Sequence, residues 1–326
     1  MKAFIHVGKE LKYAEIKEPS VSVGQVKIKL KVAGLNHRDI NIPKRRGEST
    51  EALVLGSDGA GIIEEIGEGV NNFHVGDEVI LNPGIGWHQN SDAPPEGFQI
   101  VGMPDDGTFA EKIITSVEHI EKKPSYLTWE EAGVLALPAL TGYRALFTKA
   151  KVKASDTVFI PGAGSGVATF LIQFAKATGA RVIVTSRSKE KRDRAKEIGA
   201  DIALDTNSDW EIELKNEQID IVIDSIGKAT FNRSLAVLKK GGKLVTFGAT
   251  TEDEITINIR QFFYGQYQLL GSTMGSREEL REMLAFIESH SIHPVVGKVF
   301  SLENTQAAFD YLGDAKQFGK IAISIQ

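Results

Sequence analysis

The stretch TVFIPGAGSGVATFLIQFAKATGARVIVTSRSKEK, Thr157–Lys191, decides the fold of this chain. An apolar strand over 157–160 runs into the segment Gly162-Ala163-Gly164-Ser165-Gly166, and a helix over 166–178 follows directly. A second strand then covers 181–185. In such a βαβ unit, glycines let the backbone turn sharply, and the N-terminus of the helix offers free N–H groups to a phosphate. The stretch therefore predicts a dinucleotide-binding site.

The glycine pattern itself is incomplete. Gly162-x-Gly164 begins a G-x-G-x-x-G motif, but Val167 stands at the third glycine. The shifted frame gives Ala163, Ser165 and Ala168, which are small residues but not glycines. The prediction therefore depends on the surrounding strand, helix and strand, and it assigns the backbone of 162–167 to the pyrophosphate. The alternative is a glycine-rich turn that serves packing alone.

The end of the second strand indicates which dinucleotide is bound. NAD sites usually place Asp or Glu about 20 residues beyond the glycines, where the carboxylate accepts a hydrogen bond from the ribose 2′-OH. Here the segment is Thr185-Ser186-Arg187-Ser188, and no carboxylate follows before Glu190. Ser186, Arg187 and Lys191 suit a 2′-phosphate, so we expect NADP(H). The alternative is that Arg187 and Lys191 form a solvated helix start.

Working outward, the chain changes character near residue 128. Residues before it form short strands separated by glycine turns, with a long aperiodic loop over 83–107, which is typical of a compact β-barrel-like domain. Beyond it a helix over 129–150, broken at Pro138, precedes strands that alternate with helices, which predicts a doubly wound parallel sheet. The tail has a helix over 277–289, another near 305–312 and a strand over 320–325, and we expect it to return to the first domain.

The fold class is therefore α/β. We predict a Rossmann domain over 128–272, inserted into a discontinuous β-rich domain formed by 1–127 and 273–326. In such an arrangement a ligand is expected in the cleft between the domains.

Composition excludes several classes of protein. The chain has 326 residues, of which 42% are hydrophobic and 25% charged, values typical of a globular protein of about two domains. The net charge of −5 argues against a nucleic-acid partner. Cysteine is absent, which excludes disulfides, a thiol nucleophile and cysteine-ligated zinc. The start lacks an apolar signal-peptide core and no long apolar run occurs, so we expect a cytoplasmic protein without a membrane partner.

Several segments together resemble the medium-chain dehydrogenase/reductase superfamily, and more narrowly its zinc-lacking, quinone oxidoreductase-like branch. The resemblance covers essentially the whole chain. It implies a GroES-like β domain around a Rossmann domain, hydride transfer from a nicotinamide, and a homodimer. The segments are AGLNHRD over 33–39, LGSDGAG over 55–61, VGDEV over 75–79, PALTGYRAL over 138–146, the Gly162 loop and KGG over 240–242.

The chain departs from the zinc-dependent relatives at each expected ligand. Those relatives carry Cys at the position of Asn36, Gly-His-Glu at 56–58, and four cysteines in the lobe that corresponds to 83–107. Asn36 and Ser57 do not supply the thiolate and imidazole that a tight zinc site uses, so we predict no metal. His290 and His293 have a metal-like spacing, but we interpret them as a surface pair.

The predicted chemistry is hydride addition to an acceptor that delocalises the developing charge, such as a quinone or the β-carbon of an enone. By resemblance, Asn36 is the candidate amide donor to substrate or cofactor; alternatively, its amide satisfies loop backbone groups. His37 is the candidate proton donor, because the ordinary pKa of histidine lies near neutrality; alternatively, it is a surface residue. We expect Asp39 to cap the following turn and Arg38 to pair with Asp39 or Asp58.

The remaining cofactor contacts are carried over by position within the resemblance. The sequence thus predicts an NADPH-dependent oxidoreductase with a small-molecule substrate. The alternatives are an alcohol dehydrogenase with an atypical metal site and a non-catalytic NADPH-binding protein. The carried-over residues are Thr141, Ser225, Phe247, Gly248, Ser272, Gly319 and Lys320.

Overall fold

In the computed structural model, which describes residues 1–325, the chain forms two compact units. The first comprises residues 1–138 and 275–326, and the second comprises residues 139–274. The second unit is thus inserted into the sequence of the first, and the tail belongs to the first unit.

The elements up to residue 143 are mostly short strands. The strands are β1 (Lys2–Val7), β2 (Glu10–Glu15), β3 (Gln25–Leu35), β4 (Leu53–Val54), β5 (Asp58–Ile66), β6 (Glu78–Leu81), β7 (Gly84–Ile85), β8 (Gln99–Ile100), β9 (Lys112–Ser116) and β10 (Ile120–Lys122). The helices are α1 (His37–Arg46), α2 (Trp129–Gly133) and α3 (Ala136–Tyr143).

Strands and helices alternate through the second unit, and two further strands and two helices complete the chain. In the second unit they are β11 (Thr157–Ile160), α4 (Gly166–Thr178), β12 (Arg181–Ser186), α5 (Lys189–Glu197), β13 (Ile202–Asp205), α6 (Trp210–Glu213), β14 (Ile219–Asp224), α7 (Lys228–Val237), β15 (Leu238–Thr246), α8 (Ile259–Gly265) and β16 (Gln268–Gly271). In the tail they are α9 (Arg277–Ser289), β17 (Val296–Ser301), α10 (Thr305–Gly313) and β18 (Lys320–Ser324).

The sheet of the second unit is parallel throughout, with the order β13-β12-β11-β14-β15-β16. Counted along the unit, this is 3-2-1-4-5-6, the order of the Rossmann fold. All four residues of β11 are buried, as expected where helices cover both faces of a parallel sheet. The fold class predicted from the sequence is confirmed.

The first unit is organised around β3, the long strand whose Val26, Ile28 and Leu30 enter the core. Its main sheet has the order β10-β6-β5-β3-β18-β17, and β9 also pairs with β3. The ring of Phe309 in α10 packs edge-on against the ring of Phe4 in β1, with 5.4 Å between the ring centroids. The tail therefore packs against the N-terminal strand.

Three local expectations need correction. The break in the predicted helix 129–150 lies between α2 and α3, and Pro138 sits in the first turn of α3, where the missing N–H has no helical partner to lose. Segment 83–107 is not uniformly aperiodic, because β7 and β8 pair as a small hairpin. The first unit reaches Pro138 rather than residue 127, because α2 packs against β3 and β5.

Candidate functional site

The glycine loop of the second unit is held against the end of β12. The amide of Ala163 donates to Thr185 O at 2.8 Å, and the amide of Gly162 donates to Thr185 Oγ1 at 3.3 Å. Gly162 has φ of +81°, in the left-handed region that side chains avoid. The sequence has glycine here because the chain must turn sharply between β11 and α4.

The helix that follows the loop begins with amides that have no acceptor inside the helix. Ser165 caps α4, and its Oγ accepts from the amide of Ala168 at 3.1 Å. The first N–H groups of a helix have no partner inside the helix, so the amides of Gly166 and Val167 remain for a ligand. With the positive end of the helix dipole behind them, they form an anion site.

The turn after β12 carries the predicted 2′-phosphate residues. Ser186 Oγ accepts from the amide of Ser188 at 3.2 Å, and Ser188 Oγ in turn caps α5 at the amide of Lys191. Arg187 is exposed and Lys191 is half-buried. Desolvation lowers the pKa of Lys191, and the positive charge of Arg187 lowers it further. Two cations therefore lie within electrostatic reach of each other on this turn.

Further predicted residues follow the carboxyl ends of β14, β15 and β16. Ser225 comes after β14, Phe247 and Gly248 come after β15, and Ser272 comes after β16. Because these strands are parallel, their carboxyl ends share one edge of the sheet. The hydroxyl of Ser272 is buried and has no hydrogen-bond partner in the described part of the chain. Thr141, also predicted, is buried within α3.

In the first unit a buried polar group forms around the start of α1. We call it the Asn36 cluster. Arg38 and Lys320 carry its two positive charges, and Asp39 and Asp58 carry its two negative charges, so it is balanced in charge. Its members are Asn36, Arg38, Asp39, Ser57, Asp58 and Lys320.

Both ends of the Asn36 side chain have partners within this cluster. Its Oδ1 accepts from Lys320 Nζ at 2.6 Å, and its Nδ2 donates to Asp58 Oδ2 at 2.9 Å and to Gly34 O at 3.4 Å. The ammonium of Lys320 also donates to Leu35 O at 2.7 Å and lies 3.7 Å from Asp58 Oδ2. The amide plane of Asn36 is therefore fixed by one cation and one carboxylate.

The second half of the cluster is built on α1 itself. The amide of Asn36 donates to Asp39 Oδ2 at 2.8 Å, so Asp39, the third residue of α1, caps the start of its own helix rather than a following turn. Ser57 Oγ donates to Asp39 Oδ1 at 3.0 Å and accepts from Arg38 Nη1, which also donates to Val101 O at 2.8 Å. Arg38 thus forms an ion pair with Asp39, with 3.7 Å between Nη1 and Oδ1, whereas Asp58 forms an ion pair with Lys320.

Burial sets the titration of these groups. Desolvation raises the pKa of Asp39 to about 6, opposed chiefly by the charge of Arg38. Desolvation also raises the pKa of Asp58 and lowers that of Lys320, and each of these two groups partly offsets the shift of the other. His37 is the first residue of α1, and its pKa is lowered by desolvation and then by the charge of Lys320.

Comparison with known proteins identifies the family. The model of the alcohol dehydrogenase GroES-like domain matches residues 22–125, and that of the zinc-binding dehydrogenase matches residues 166–289. A zinc-type alcohol dehydrogenase-like protein of Schizosaccharomyces pombe is 33% identical over 97% of this chain and 95% of its own length. The chain belongs to the medium-chain dehydrogenase/reductase superfamily. The resemblance predicted from the sequence is confirmed at that level.

Other members of the superfamily differ in reaction. A crotonyl-CoA reductase of Streptomyces avermitilis is 31% identical over 83% of this chain and 67% of its own length. The crystal structure of an NAD-dependent alcohol dehydrogenase superposes with a TM-score of 0.93 at 32% identity, and the match covers 100% of both chains. The chain is accordingly an oxidoreductase of the nicotinamide-dependent class.

The residues of the second unit fit the nicotinamide dinucleotide that the superfamily uses. The left-handed Gly162, the free first amides of α4 and the unpartnered hydroxyl of Ser272 suit a pyrophosphate and polar groups of such a ligand. Gly319, by contrast, has φ of +86°, and a Cβ there would lie 2.2 Å from Val295 O, so glycine is required for packing. The cofactor role of Gly319 and Lys320 stays a prediction.

Asn36 and Ser57, at the positions where the resemblance predicted zinc ligands in other members, both lie in the Asn36 cluster. Among residues 1–325 no three His, Cys, Asp or Glu side chains converge as metal ligands. His290 bonds to Ser289 and Phe286 near the end of α9, whereas His293 Nδ1 lies 2.8 Å from Glu131 Oε1. Within the same residues no helix is long and apolar enough to cross a membrane.

Sequence reasoning did not find the contacts of Asp58 and Lys320 within the Asn36 cluster, nor those of Arg192, whose Nη1 donates to Ser186 O and to Asp205 Oδ2. Asp58 lies in the quoted motif LGSDGAG, beside Ser57 and Gly59, and a carboxylate buried among such small residues needs a compensating cation, which was the available signal. Lys320 lies 284 residues beyond Asn36, so no local pattern pairs them. Arg192 is one of many charged residues on α5, and nothing in the sequence separates it from the others.

Proposed function

We propose that the protein is an NADPH-dependent reductase that transfers a hydride to a quinone, an enone or another activated alkene or carbonyl. The observation that carries the cofactor preference is the turn after β12, where Arg187 and, at the start of α5, Lys191 supply two cations and no carboxylate follows the strand before Glu190; the pKa of Lys191 is lowered by desolvation and then by the charge of Arg187. A 2′-phosphate, with about two negative charges, relieves this repulsion and offers several acceptor oxygens. A ribose 2′-OH does neither.

The substrate class is supported by relatives of two kinds. The crotonyl-CoA reductase of Streptomyces avermitilis and an acryloyl-CoA reductase of Metallosphaera sedula, 30% identical over 99% of this chain, are named for alkenes conjugated to a carbonyl. In this chain Asn36 and Ser57 replace the zinc ligands of other members, and both are engaged inside the Asn36 cluster. An acceptor that spreads negative charge over its own conjugated system depends least on a metal.

The chain's residues have distinct proposed roles. The amides at the start of α4 bind the pyrophosphate, and Arg187 with Lys191 selects the 2′-phosphate. When bound, the reduced nicotinamide supplies the hydride. His37 is the proposed donor to the substrate oxygen, through the ring N–H of the neutral imidazole that its lowered pKa favours. Lys320 and Asp58 fix the amide plane of Asn36, and the N–H that makes only the long 3.4 Å bond to Gly34 O is the one proposed to donate to substrate or cofactor.

The test is an absorbance assay of NADPH and NADH oxidation with quinones, enones, aldehydes and enoyl thioesters, each with and without a chelator. We expect turnover with NADPH that the chelator does not reduce. Arg187→Ala should raise KM for NADPH by about 10-fold or more and leave KM for NADH within twofold, because a hydrogen bond to a charged group contributes about 1.5–3 kcal/mol.

Lys196→Ala is the matched control, since Lys196 is an exposed cation on α5, the helix that follows the turn, but lies near the far end of that helix. It should leave both KM values unchanged. Equal wild-type rates with the two nucleotides would refute the cofactor proposal, and an unchanged KM ratio in Arg187→Ala would remove Arg187 from the site.

Alcohol oxidation is the second candidate, favoured by the 32% identity to an NAD-dependent alcohol dehydrogenase. It predicts turnover of primary or secondary alcohols with NAD and loss of that turnover with the chelator. Binding of NADPH without turnover on any acceptor would instead indicate a non-catalytic protein.

We further propose that the protein is a homodimer in the cytoplasm. Support for the dimer comes from an apolar patch in the second unit, where exposed side chains cluster on α8 and the edge strand β16. We call this the α8–β16 patch; it contains Ile259, Phe263, Tyr264 and Leu269.

A further inference from the structure

The ends of β12 and β13 bring a carboxylate beside the proposed 2′-phosphate turn. The two strands are parallel, and Ser186 is paired with Asp205 in the register. Because the carboxyl ends of parallel strands share an edge, Asp205 lies next to the turn that carries Arg187. Its side chain is 41% exposed, so its negative charge is within reach of a ligand at that edge.

Arg192 of α5 bridges this carboxylate and the turn. Its Nη1 donates to Asp205 Oδ2 at 2.9 Å and to Ser186 O at 2.7 Å. The side chain of Arg192 is 19% exposed, so the pair is partly shielded from solvent. Asp205 Oδ1 accepts separately from the amide of Asn207 at 2.9 Å, which fixes the carboxylate in its position.

We propose that Arg192 is a specificity-determining positioning residue that lets the site accept a 2′-phosphate although a carboxylate stands beside it. A free carboxylate at the end of the second strand accepts from the 2′-OH of NAD and repels a 2′-phosphate. Asp205 ends the neighbouring strand β13, but its register with Ser186 brings a carboxylate charge beside that same position. Arg192 neutralises Asp205 and, through Ser186 O, holds the backbone from which Arg187 projects. The inference rests on the NADPH preference proposed above.

Two possible roles of Arg192, neutralising the charge of Asp205 and supporting the fold of the turn, predict different results. If Arg192 acts by neutralising Asp205, removing Arg192 alone should weaken binding of a ligand with a 2′-phosphate. Removing the charges of both side chains should then restore that binding. If Arg192 only supports the fold, the second substitution should restore nothing, and ligands with and without the 2′-phosphate should be affected equally.

The experiment measures binding to the full chain by calorimetry, with adenosine 2′,5′-bisphosphate and adenosine 5′-monophosphate as probes. Neither probe needs turnover. Arg192→Met should weaken the bisphosphate by about tenfold and the monophosphate by no more than twofold, because the exposed carboxylate repels only the additional phosphate. The double variant Arg192→Met/Asp205→Asn should return to within threefold of wild type for both probes. The KM ratio of NADPH to NADH should follow the same pattern.

Two further variants complete the design. Lys196→Met removes a cation from the same helix without touching Asp205, and it should leave the preference unchanged. Asp205→Asn alone, at a partly exposed position, should bind the bisphosphate at least as tightly as wild type, which tests the proposal even if Arg192→Met does not fold.

Equal weakening of both probes in Arg192→Met, failure of the double variant to recover, or more than threefold weaker bisphosphate binding by Asp205→Asn would each overturn the inference. Wild-type protein that binds the two probes equally would refute the NADPH proposal itself. Wild-type preference for the bisphosphate together with an unchanged ratio in Arg192→Met would refute only the role of Arg192.

Discussion

At the residue scale, the carboxylate of Asp58 is fully buried and depends on Lys320 for its counter-charge. Lys320→Met leaves that carboxylate unpaired and also removes the donor to Asn36 Oδ1. Breaking a buried pair in this way costs about 3–5 kcal/mol, so we expect the free energy of unfolding to fall by that amount. Urea titration followed by circular dichroism measures it.

The double variant Lys320→Met/Asp58→Asn removes both charges, and we expect it to recover more than half of the loss. Lys29→Met, at an exposed position in β3, is the control and should change the stability little. A double variant no more stable than Lys320→Met would show that the ammonium acts through Asn36 and Leu35 rather than through Asp58.

Asp39 makes the stability depend on pH in a definite direction. Its pKa is about 6 in the folded protein and lies near the ordinary value of 3.8 once unfolded. Between about pH 4 and 6 the folded state therefore keeps a proton that the unfolded chain has lost. The contribution of Asp39 to stability declines as pH rises through this window, by up to about 1.4 kcal/mol per pH unit.

Asp39→Asn removes this titration. The unfolding free energy of wild type minus that of the variant should fall from pH 4 to pH 6 and stay level from pH 7 to pH 9, as measured by urea titration at each pH. A difference that is already level between pH 4 and pH 6 would contradict the raised pKa.

The Asn36 cluster also shows what sequence can predict about single residues. That Asp39 caps a helix was predicted, but the sequence analysis assigned it to the following turn, whereas Asp39 caps α1 itself by accepting from the amide of Asn36. The amide of Asn36 was predicted to face a ligand or to satisfy the loop, and the structure gives it Lys320 and Asp58 as partners. These contacts join distant parts of the chain, so only the folded unit brings them together.

At the scale of elements, the glycine loop depends on the conformation of Gly162. Its φ is +81°, and a Cβ would lie 2.9 Å from Ile226 Cδ1. Gly162→Ala should therefore lower the free energy of unfolding by about 1–2 kcal/mol and weaken NADPH binding, because the backbone must leave the left-handed region or remain strained there.

Gly271→Ala is the matched control within the second unit, since a Cβ there meets no atom within 4 Å and its φ is not in the left-handed region. Chemical denaturation of both variants provides the comparison. Equal stability of Gly162→Ala and Gly271→Ala would show that the loop relaxes without cost.

The bounds of two helices were predicted correctly, because their ends carry local signals. The range 277–289 is confirmed as α9, because Ser276 and Glu279 form a capping box. The range 166–178 is confirmed as α4, which ends at Gly179 in the left-handed region. The predicted position of the helix break, at Pro138, was wrong, because Pro138 lies in the first turn of α3, where proline is tolerated. The sequence does not show whether such a proline lies at the start of a helix or interrupts it.

At the scale of the whole molecule, the insertion of one unit into the other follows from the tail. The pattern of a helix, a second helix and a final strand predicted that the tail returns to the first domain. The structure has this return, because β18, near the end of the chain, pairs with β3, near its start. The domain boundaries were less predictable, because α2 belongs by sequence to a helical region and by packing to the β-rich unit.

The α8–β16 patch is the surface on which the proposed dimer depends. β16 is the last strand of its sheet, so its outer edge is unpaired within residues 1–325. An unpaired edge beside exposed apolar side chains favours pairing with another chain, and a second copy presents the same edge and the same side chains. We therefore expect a mass in solution of twice 35.5 kDa by light scattering coupled to size-exclusion chromatography.

Ile259→Glu places a charge within this patch, where the side chain is 66% exposed, and should shift the protein to a single chain. Ile212→Glu is a matched control, because Ile212 on α6 is 64% exposed and lies outside the patch. Both substitutions exchange an exposed isoleucine for the same charge, so general effects on solubility or folding cancel in the comparison. A wild-type chain that is monomeric at micromolar concentration, or loss of the dimer in both variants alike, would remove this patch as the dimer interface.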